Sequence, residues 1–167
     1  MRHFHFLLVD DEKDFIDTLA KRLRQRGFTA DCAYSGKAAL DRLDEKADRI
    51  DVILLDIQMP EPDGLETLAL LKEAHPLPEV IMVTGHASVA SAVEALKRGA
   101  FDYLTKPCDL NDVIAKAEQA VSRKKERAAK ILQIQTMPFI SDRERKRRIA
   151  EVLRNGGFFV DSPPPLK

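Results

Sequence analysis

Phe6-Leu-Leu-Val-Asp10-Asp11 and Val52-Ile-Leu-Leu-Asp56 each set an apolar run directly before carboxylates. Short apolar runs of this kind suit the inner strands of a parallel sheet, which is covered on both faces. An Asp just past such a strand stands at its carboxyl edge, where open α/β sheets bind ligands. Three carboxylates gathered there repel one another, and a hard divalent cation relieves the repulsion. Two later runs end in other useful groups: Val80-Ile-Met-Val-Thr84 in a hydroxyl, and Phe101-Asp-Tyr-Leu-Thr-Lys106-Pro107 in an ammonium. An acid pair, a lone acid, a hydroxyl and a lysine, each after its own strand, describe a site that takes up and holds a phosphoryl group.

The pattern around these runs alternates strand and helix over the first 120 or so residues. Strands are expected over 4–9, 28–34, 51–56, 80–84 and 101–105. The first helix runs from about Glu12 to Gln25, with Phe15, Ile16, Leu19 and Leu23 on one face, and stops at Gly27. Ser35 caps a second helix through about Lys46, and a third spans about Leu65 to Ala74 after the Pro- and Gly-rich loop 59–64. A fourth starts at Ser88 with Val89, Val93 and Leu96 on one face and ends at Gly99. The fifth starts at Asp109 with Leu110, Val113, Ile114, Ala117 and Val121 turned inward. Strict alternation implies right-handed crossovers and helices on both faces of a parallel sheet. Five strands favour the order 2-1-3-4-5, a flavodoxin-like doubly wound sheet, with its switch point between strands 1 and 3. Asp10, Asp11 and Asp56 are expected to meet in that crevice.

At 167 residues and 44% apolar content, the chain fits one domain with an appendage. No apolar run approaches the length of a membrane span, and the start leads straight into a strand pattern rather than a signal peptide. Cys32 and Cys108 lack metal-binding spacing, so free thiols in a reducing cytoplasm are expected. The formal net charge of zero hides an asymmetry. Residues 1–119 carry 15 Lys+Arg against 22 Asp+Glu, a balance of −7, and residues 120–167 carry 12 against 5, a balance of +7. A basic segment beside an acidic domain either meets a partner or folds back on its own domain.

Taken together, these residues resemble the receiver domain of bacterial two-component response regulators, over roughly residues 4–122. Val83-Thr-Gly-His-Ala-Ser-Val and Gly99-Ala-Phe-Asp-Tyr-Leu-Thr-Lys-Pro107 look most like receivers of the enhancer-binding activators. The resemblance implies that Asp56 is the phosphoacceptor, taking its phosphoryl group from a sensor histidine kinase or a histidine phosphotransfer protein. It implies magnesium held by Asp11, Asp56 and the backbone carbonyl of Gln58, with Asp10 orienting the metal-bound waters. Lys106 would pair with phosphoryl oxygens, and Pro107 is expected in cis. Thr84 and Tyr103 would form the switch pair, while Gln58 and His86 border the phosphoryl group and influence how readily water reaches it. Such a protein is not an ordinary enzyme, since it catalyses only its own phosphorylation and dephosphorylation.

The division expected is a receiver at 1–122 and a basic helical extension and tail at 123–167. Helical residues continue to Gln135, with Ala128, Ile131 and Leu132 as a thin apolar stripe, and Pro138 ends the run. Ser141-Asp-Arg-Glu144 has the form of a capping box that opens an Arg-rich helix to about Arg154, closed by Asn155-Gly-Gly157. The 45 residues hold neither GxxxxGK nor enough apolar positions for a helix-turn-helix. A receiver-only regulator acting through an unknown downstream protein is therefore expected. Nucleic acid is not expected as a partner, nor a membrane. Two surfaces are candidates for a homodimer: that of the fourth helix, fifth strand and fifth helix, and that of the C-terminal helix. The alternatives are a phosphorelay intermediate and a DNA-binding regulator that uses Arg143, Arg145, Lys146, Arg147 and Arg148. A phosphatase of the Asp-nucleophile type is disfavoured, because such enzymes place Asp-x-Asp after the first strand.

Overall fold

The computed structural model describes residues 3–85 and 88–154. The strands are β1 (His5–Val9), β2 (Thr29–Ala33), β3 (Val52–Leu55), β4 (Glu79–Thr84) and β5 (Asp102–Thr105). The helices are α1 (Lys13–Gln25), α2 (Gly36–Lys46), α3 (Gly64–Ala74), α4 (Val89–Lys97), α5 (Leu110–Thr136) and α6 (Asp142–Arg154). All strand pairs are parallel, and the sheet order is β2-β1-β3-β4-β5, as expected.

Period-two alternation within near-continuous apolar runs builds a core on each face of the sheet. Phe6, Leu8, Val52, Leu54, Ile81 and Val83 pack toward α1 and α5. Leu7, Val9, Ile53, Leu55, Val80 and Met82 pack toward the opposite layer, with Leu43 of α2 and Leu68 and Leu71 of α3. The helix starts follow the capping signals. Ser35 accepts from the Ala38 amide, Asp63 and Glu66 form a reciprocal box, and Ser88 with Ser91 does the same. The chain leaves α1 and α4 through Gly27 and Gly99, whose φ values of +87° and +99° suit a residue without Cβ.

The apolar stripe of α4 faces outward. Val89, Val93 and Leu96 are 83%, 43% and 43% exposed, and the helix is seated on the sheet by Ala92 and Ala95 instead. Two alanines let the backbone sit close to the sheet, so the larger side chains project from the other side. The inward face of α5 is as expected at Leu110, Val113, Ala117 and Val121, with Ile114 half-buried against them.

Beyond Val121 the helix continues unbroken, but its contacts are ionic as much as apolar. Leu132 is exposed, whereas Arg127 and Ile134 are buried. Arg123 and Arg127 both bond the carboxylate of Glu79, which is fully buried at the start of β4. Lys124 reaches Asp51 at 2.7 Å and the Ile50 carbonyl at 2.9 Å. The basic segment thus folds back onto acids at the amino edge of the sheet. Just before α6, the Ser141 hydroxyl accepts from the Glu144 amide at 3.2 Å. Closure at 155–157 lies outside the described residues.

Candidate functional site

The register of β1 and β3 sets Val9 opposite Leu55, and the Asp56 amide donates to the Val9 carbonyl at 3.0 Å. Asp10 and Asp56 therefore leave adjacent strands side by side at the carboxyl edge. Carboxylate oxygens of Asp10, Asp11 and Asp56 lie within 4.8 Å of one another. Asp10 and Asp56 are buried while Asp11 is exposed. The Lys106 amide donates to the Thr84 carbonyl at 2.9 Å, which fixes the lysine one strand beyond Thr84. Its Nζ stands 2.5 Å from Asp10 Oδ2, 3.4 Å from Glu12 Oε1 and 3.8 Å from Asp56 Oδ2. The Lys106–Pro107 bond is cis, as expected.

Burial is the main cause of the carboxylates' altered acidity. It pushes the Asp56 carboxyl up to about 6, helped by the charge of Asp10 and opposed by Lys106 and a backbone hydrogen bond from Gln58. Asp10 is also raised by burial, against the hydrogen bond from Lys106 and that from the Glu12 amide. A carboxyl cluster that resists ionisation when alone is stabilised by a bound cation. Oxygen-only donors suit magnesium or calcium rather than a softer metal. Magnesium–oxygen bonds are about 2.0–2.1 Å, so a 4.8 Å spread needs only a small closure, which exposed Asp11 is free to make.

The loop after Asp56 is held from behind. Gly64 donates its amide to the Ile57 carbonyl at 2.9 Å and opens α3. A Cβ on Gly64 would sit 2.0 Å from the Asp56 carbonyl oxygen and 2.5 Å from Ile57 Cα, so only glycine permits this approach. Gln58 is exposed beside the cluster. Thr84 is buried at the end of β4, and Tyr103 lies 37% exposed on the edge strand β5. His86 lies outside the described residues.

Three residues not singled out in the sequence belong to this site. Glu12 supplies an amide to Asp10 Oδ1 at 2.9 Å and a carboxylate to Lys106. The ring of Phe15 lies under the Lys106 ammonium, 4.5 Å from its centroid. Gly64 completes the set. The signals were faint: Glu12 looked like part of a helix start, and Phe15 like one more apolar position.

Comparison with known proteins agrees with this geometry. Residues 6–118 match the response regulator receiver domain family. The DNA-binding transcriptional regulator NtrC of Klebsiella pneumoniae is 39% identical over 119 residues, 71% of this chain and 25% of that protein. The regulatory protein AtoC of Escherichia coli is 40% identical over 123 residues, 72% of this chain and 26% of that protein. The chain thus spans about a quarter of the length of the curated relatives it matches. Among solved structures, a receiver domain protein from Clostridium thermocellum has TM-score 0.69 and 33% identity, covering 73% of this chain and 97% of its own. NtrX from Brucella abortus has TM-score 0.72 and 30% identity, covering 90% of this chain and 35% of its own. A chain of the CheX-CheY-BeF3-Mg2+ complex from Borrelia burgdorferi has TM-score 0.66 and 28% identity, covering 70% of this chain and 87% of its own. With its sheet order, its edge carboxylates and these matches, the chain belongs to the response regulator receiver domain family.

Proposed function

We propose that Asp56 accepts a phosphoryl group from the phosphohistidine of a sensor kinase or phosphotransfer protein, and that the phosphorylated chain signals through protein–protein contact. The observation that carries this is the convergence of Asp10, Asp11 and Asp56 with Lys106 at the switch point of the sheet. An Asp56 oxygen attacks phosphorus as the P–N bond breaks, and the bonding pair leaves with the imidazole nitrogen. The product is an acyl phosphate, a covalent intermediate of ordinary type.

Asp11, Asp56 and the Gln58 carbonyl would hold magnesium, with Asp10 orienting its waters. When bound, the ion supplies charge neutralisation for the phosphoryl oxygens. Lys106 is already at the site, and its flexible stem lets the ammonium move from Asp10 to the phosphoryl group as a point charge. The Thr84 hydroxyl then turns toward the phosphoryl group, and exposed Tyr103 rotates into the space it leaves. Gln58 and His86 border the group and set water access. Beyond its own phosphorylation and dephosphorylation the chain catalyses nothing in this account.

The outward apolar stripe of α4, beside β5, supports a homodimer or a downstream protein contact there. The DNA-binding alternative loses support in α6. Arg145 bonds the Ile134 and Gln135 carbonyls at the end of α5, and Arg147 and Arg148 bond Glu144. Residues 1–122 act as the receiver and 123–167 as its extension, in the cytoplasm. No helix among the described residues is long and apolar enough to cross a membrane. The test is treatment with acetyl phosphate, with and without magnesium. A magnesium-dependent, hydroxylamine-labile phosphoryl adduct supports the proposal, and a hydroxylamine-stable adduct or none contradicts it.

A further inference from the structure

We infer that a cavity at the amino edge of the sheet, remote from Asp56, binds an organic phosphate of nucleotide size. The cavity has a volume of about 700 Å³ and lies between the end of α4, the start of β5, α5 and the end of α6. Lys72, Lys97, Arg98, Arg123, Arg127 and Arg154 line it, and no carboxylate is among the described lining residues. The acids nearby offset only part of this charge. Buried Glu79 is shared by Lys72, Arg123 and Arg127, and Glu94 pairs with Arg98. Among the described residues, Lys97 and Arg154 have no carboxylate partner.

Buried Arg127 adds to the positive charge of the wall. The Arg127 side chain is only 7% exposed, yet its Nε has no hydrogen-bond partner among the described residues. Its Nη1 bonds Glu79, and its Nη2 bonds the Pro76 and Leu153 carbonyls. The Nε nitrogen is itself fully buried, so the guanidinium acts on a ligand in the cavity through its charge rather than through a hydrogen bond from Nε. The local field has the same sign. Burial, then the charges of Arg127 and Arg123, hold the Lys72 ammonium down at about 8 although Glu79 opposes them.

The rest of the wall decides the ligand class. Leu96, Phe101 and Leu153 make it apolar, with the Arg123 guanidinium stacked 4.6 Å from the Phe101 ring centroid. A bare phosphate ion would leave these surfaces uncovered. The volume falls within the roughly 300–1,000 Å³ of ordinary small-molecule sites. A phosphate joined to a flat, largely apolar group fills both halves of the cavity.

The test uses the full chain in EDTA, so that no metal draws the probe to the aspartates, with ADP, adenosine and inorganic phosphate as probes. ADP is expected to bind by calorimetry and to shift the amide resonances of Ala100, Phe101 and Arg127 but not those of Asp10 and Asp56. Adenosine and phosphate should each bind at least about tenfold more weakly. The Lys97→Ala/Arg154→Ala variant removes two exposed cations that do not hold Glu79, and should weaken ADP binding about tenfold or more while phosphorylation of Asp56 is unchanged. Absence of ADP binding, equal binding of inorganic phosphate, shifts centred on the aspartates, or full affinity in the variant each overturns the inference. A chain ended after Arg154 is the remaining arm. If it alone binds ADP, the cavity belongs to this protein's own residues 155–167 and a diffusible ligand is ruled out.

Discussion

The ammonium of Lys106 is docked on Asp10, 2.5 Å from its Oδ2. Asp56 stands farther off, its Oδ2 3.8 Å from the same nitrogen. The lysine is thus poised on the neighbour of the proposed phosphoacceptor, and a phosphoryl group arriving there would give it a stronger partner within a short swing. It also neutralises part of a carboxylate cluster that is otherwise self-repelling.

Lys106→Ala should remove both roles. Phosphorylation of Asp56 by acetyl phosphate should continue, but the phosphorylation-dependent change in amide exchange around Tyr103 should be lost. Without metal the variant should be less stable by about 1–3 kcal/mol, because buried Asp10 loses its hydrogen-bonding cation. Magnesium should restore most of that difference. A wild-type exchange response in the phosphorylated variant would contradict the role given to the lysine.

Asp56 gives a pH dependence with a definite sign. Its carboxyl is raised from 3.8 to about 6, so between these values the native state keeps a proton that the unfolded chain has released. In EDTA, stability should therefore fall as pH rises through that window and level off above it. Asp56→Asn should be more stable than wild type at neutral pH by on the order of 1–3 kcal/mol, and the advantage should vanish below about pH 4. Urea unfolding of both proteins across this range is the measurement. A wild type that gains stability over the window would reverse the electrostatic account of the site. In magnesium the wild type should recover stability, because the ion binds only the native cluster.

Glu79 ties the receiver to its extension. It is fully buried, and its carboxylate is held by Arg123 and Arg127 from α5 and by Lys72 at 3.5 Å. Burial alone would raise its pKa, but the hydrogen bond from Arg123 and the charges of the three cations override this and lower it. A chain ended after Ser122 leaves the acid without two of its partners and should lose roughly 3–5 kcal/mol, the usual cost of an uncompensated buried charge. Glu79→Gln in the full chain should also destabilise, by stranding the cations. Chemical denaturation decides the matter, and an unchanged midpoint in the shortened chain would make the extension a passive appendage.

Much of the proposed phosphoryl site was legible in the sequence, because Asp10, Asp56 and Thr84 each close an apolar run of the kind that forms a buried parallel strand. Asp10, Asp56, Thr84 and Lys106 are placed by register alone, and the strand order follows from strict alternation. Three things were not legible. The face that α4 presents to the sheet depends on how closely two alanines let it pack, which a shared face of Val89, Val93 and Leu96 does not reveal. Nothing in the sequence marks Glu79 as buried, since the cations that make its burial tolerable come from Arg123 and Arg127 on a distant helix. Glu12 and Phe15 act through contact with Lys106, and no local pattern marks a contact between residues so far apart in the chain.

Gly64→Ala probes the support behind Asp56, the proposed phosphoacceptor. The new Cβ would meet backbone atoms of Asp56 and Ile57, which cannot step aside as a flexible side chain could. The variant should lose about 1–3 kcal/mol in urea and phosphorylate more slowly, because Asp56 is carried out of register with Asp10. Normal stability with a normal rate would show that the loop tolerates a side chain there.

Intact mass after acetyl phosphate treatment in magnesium, for wild type and Asp56→Asn in parallel, tests the central claim most directly. The account predicts one phosphoryl mass added to the wild type and none to the variant, with folding of the variant confirmed by its urea transition. An Asp56→Asn protein that gains the same mass would contradict it, and would move the phosphoacceptor elsewhere in the chain.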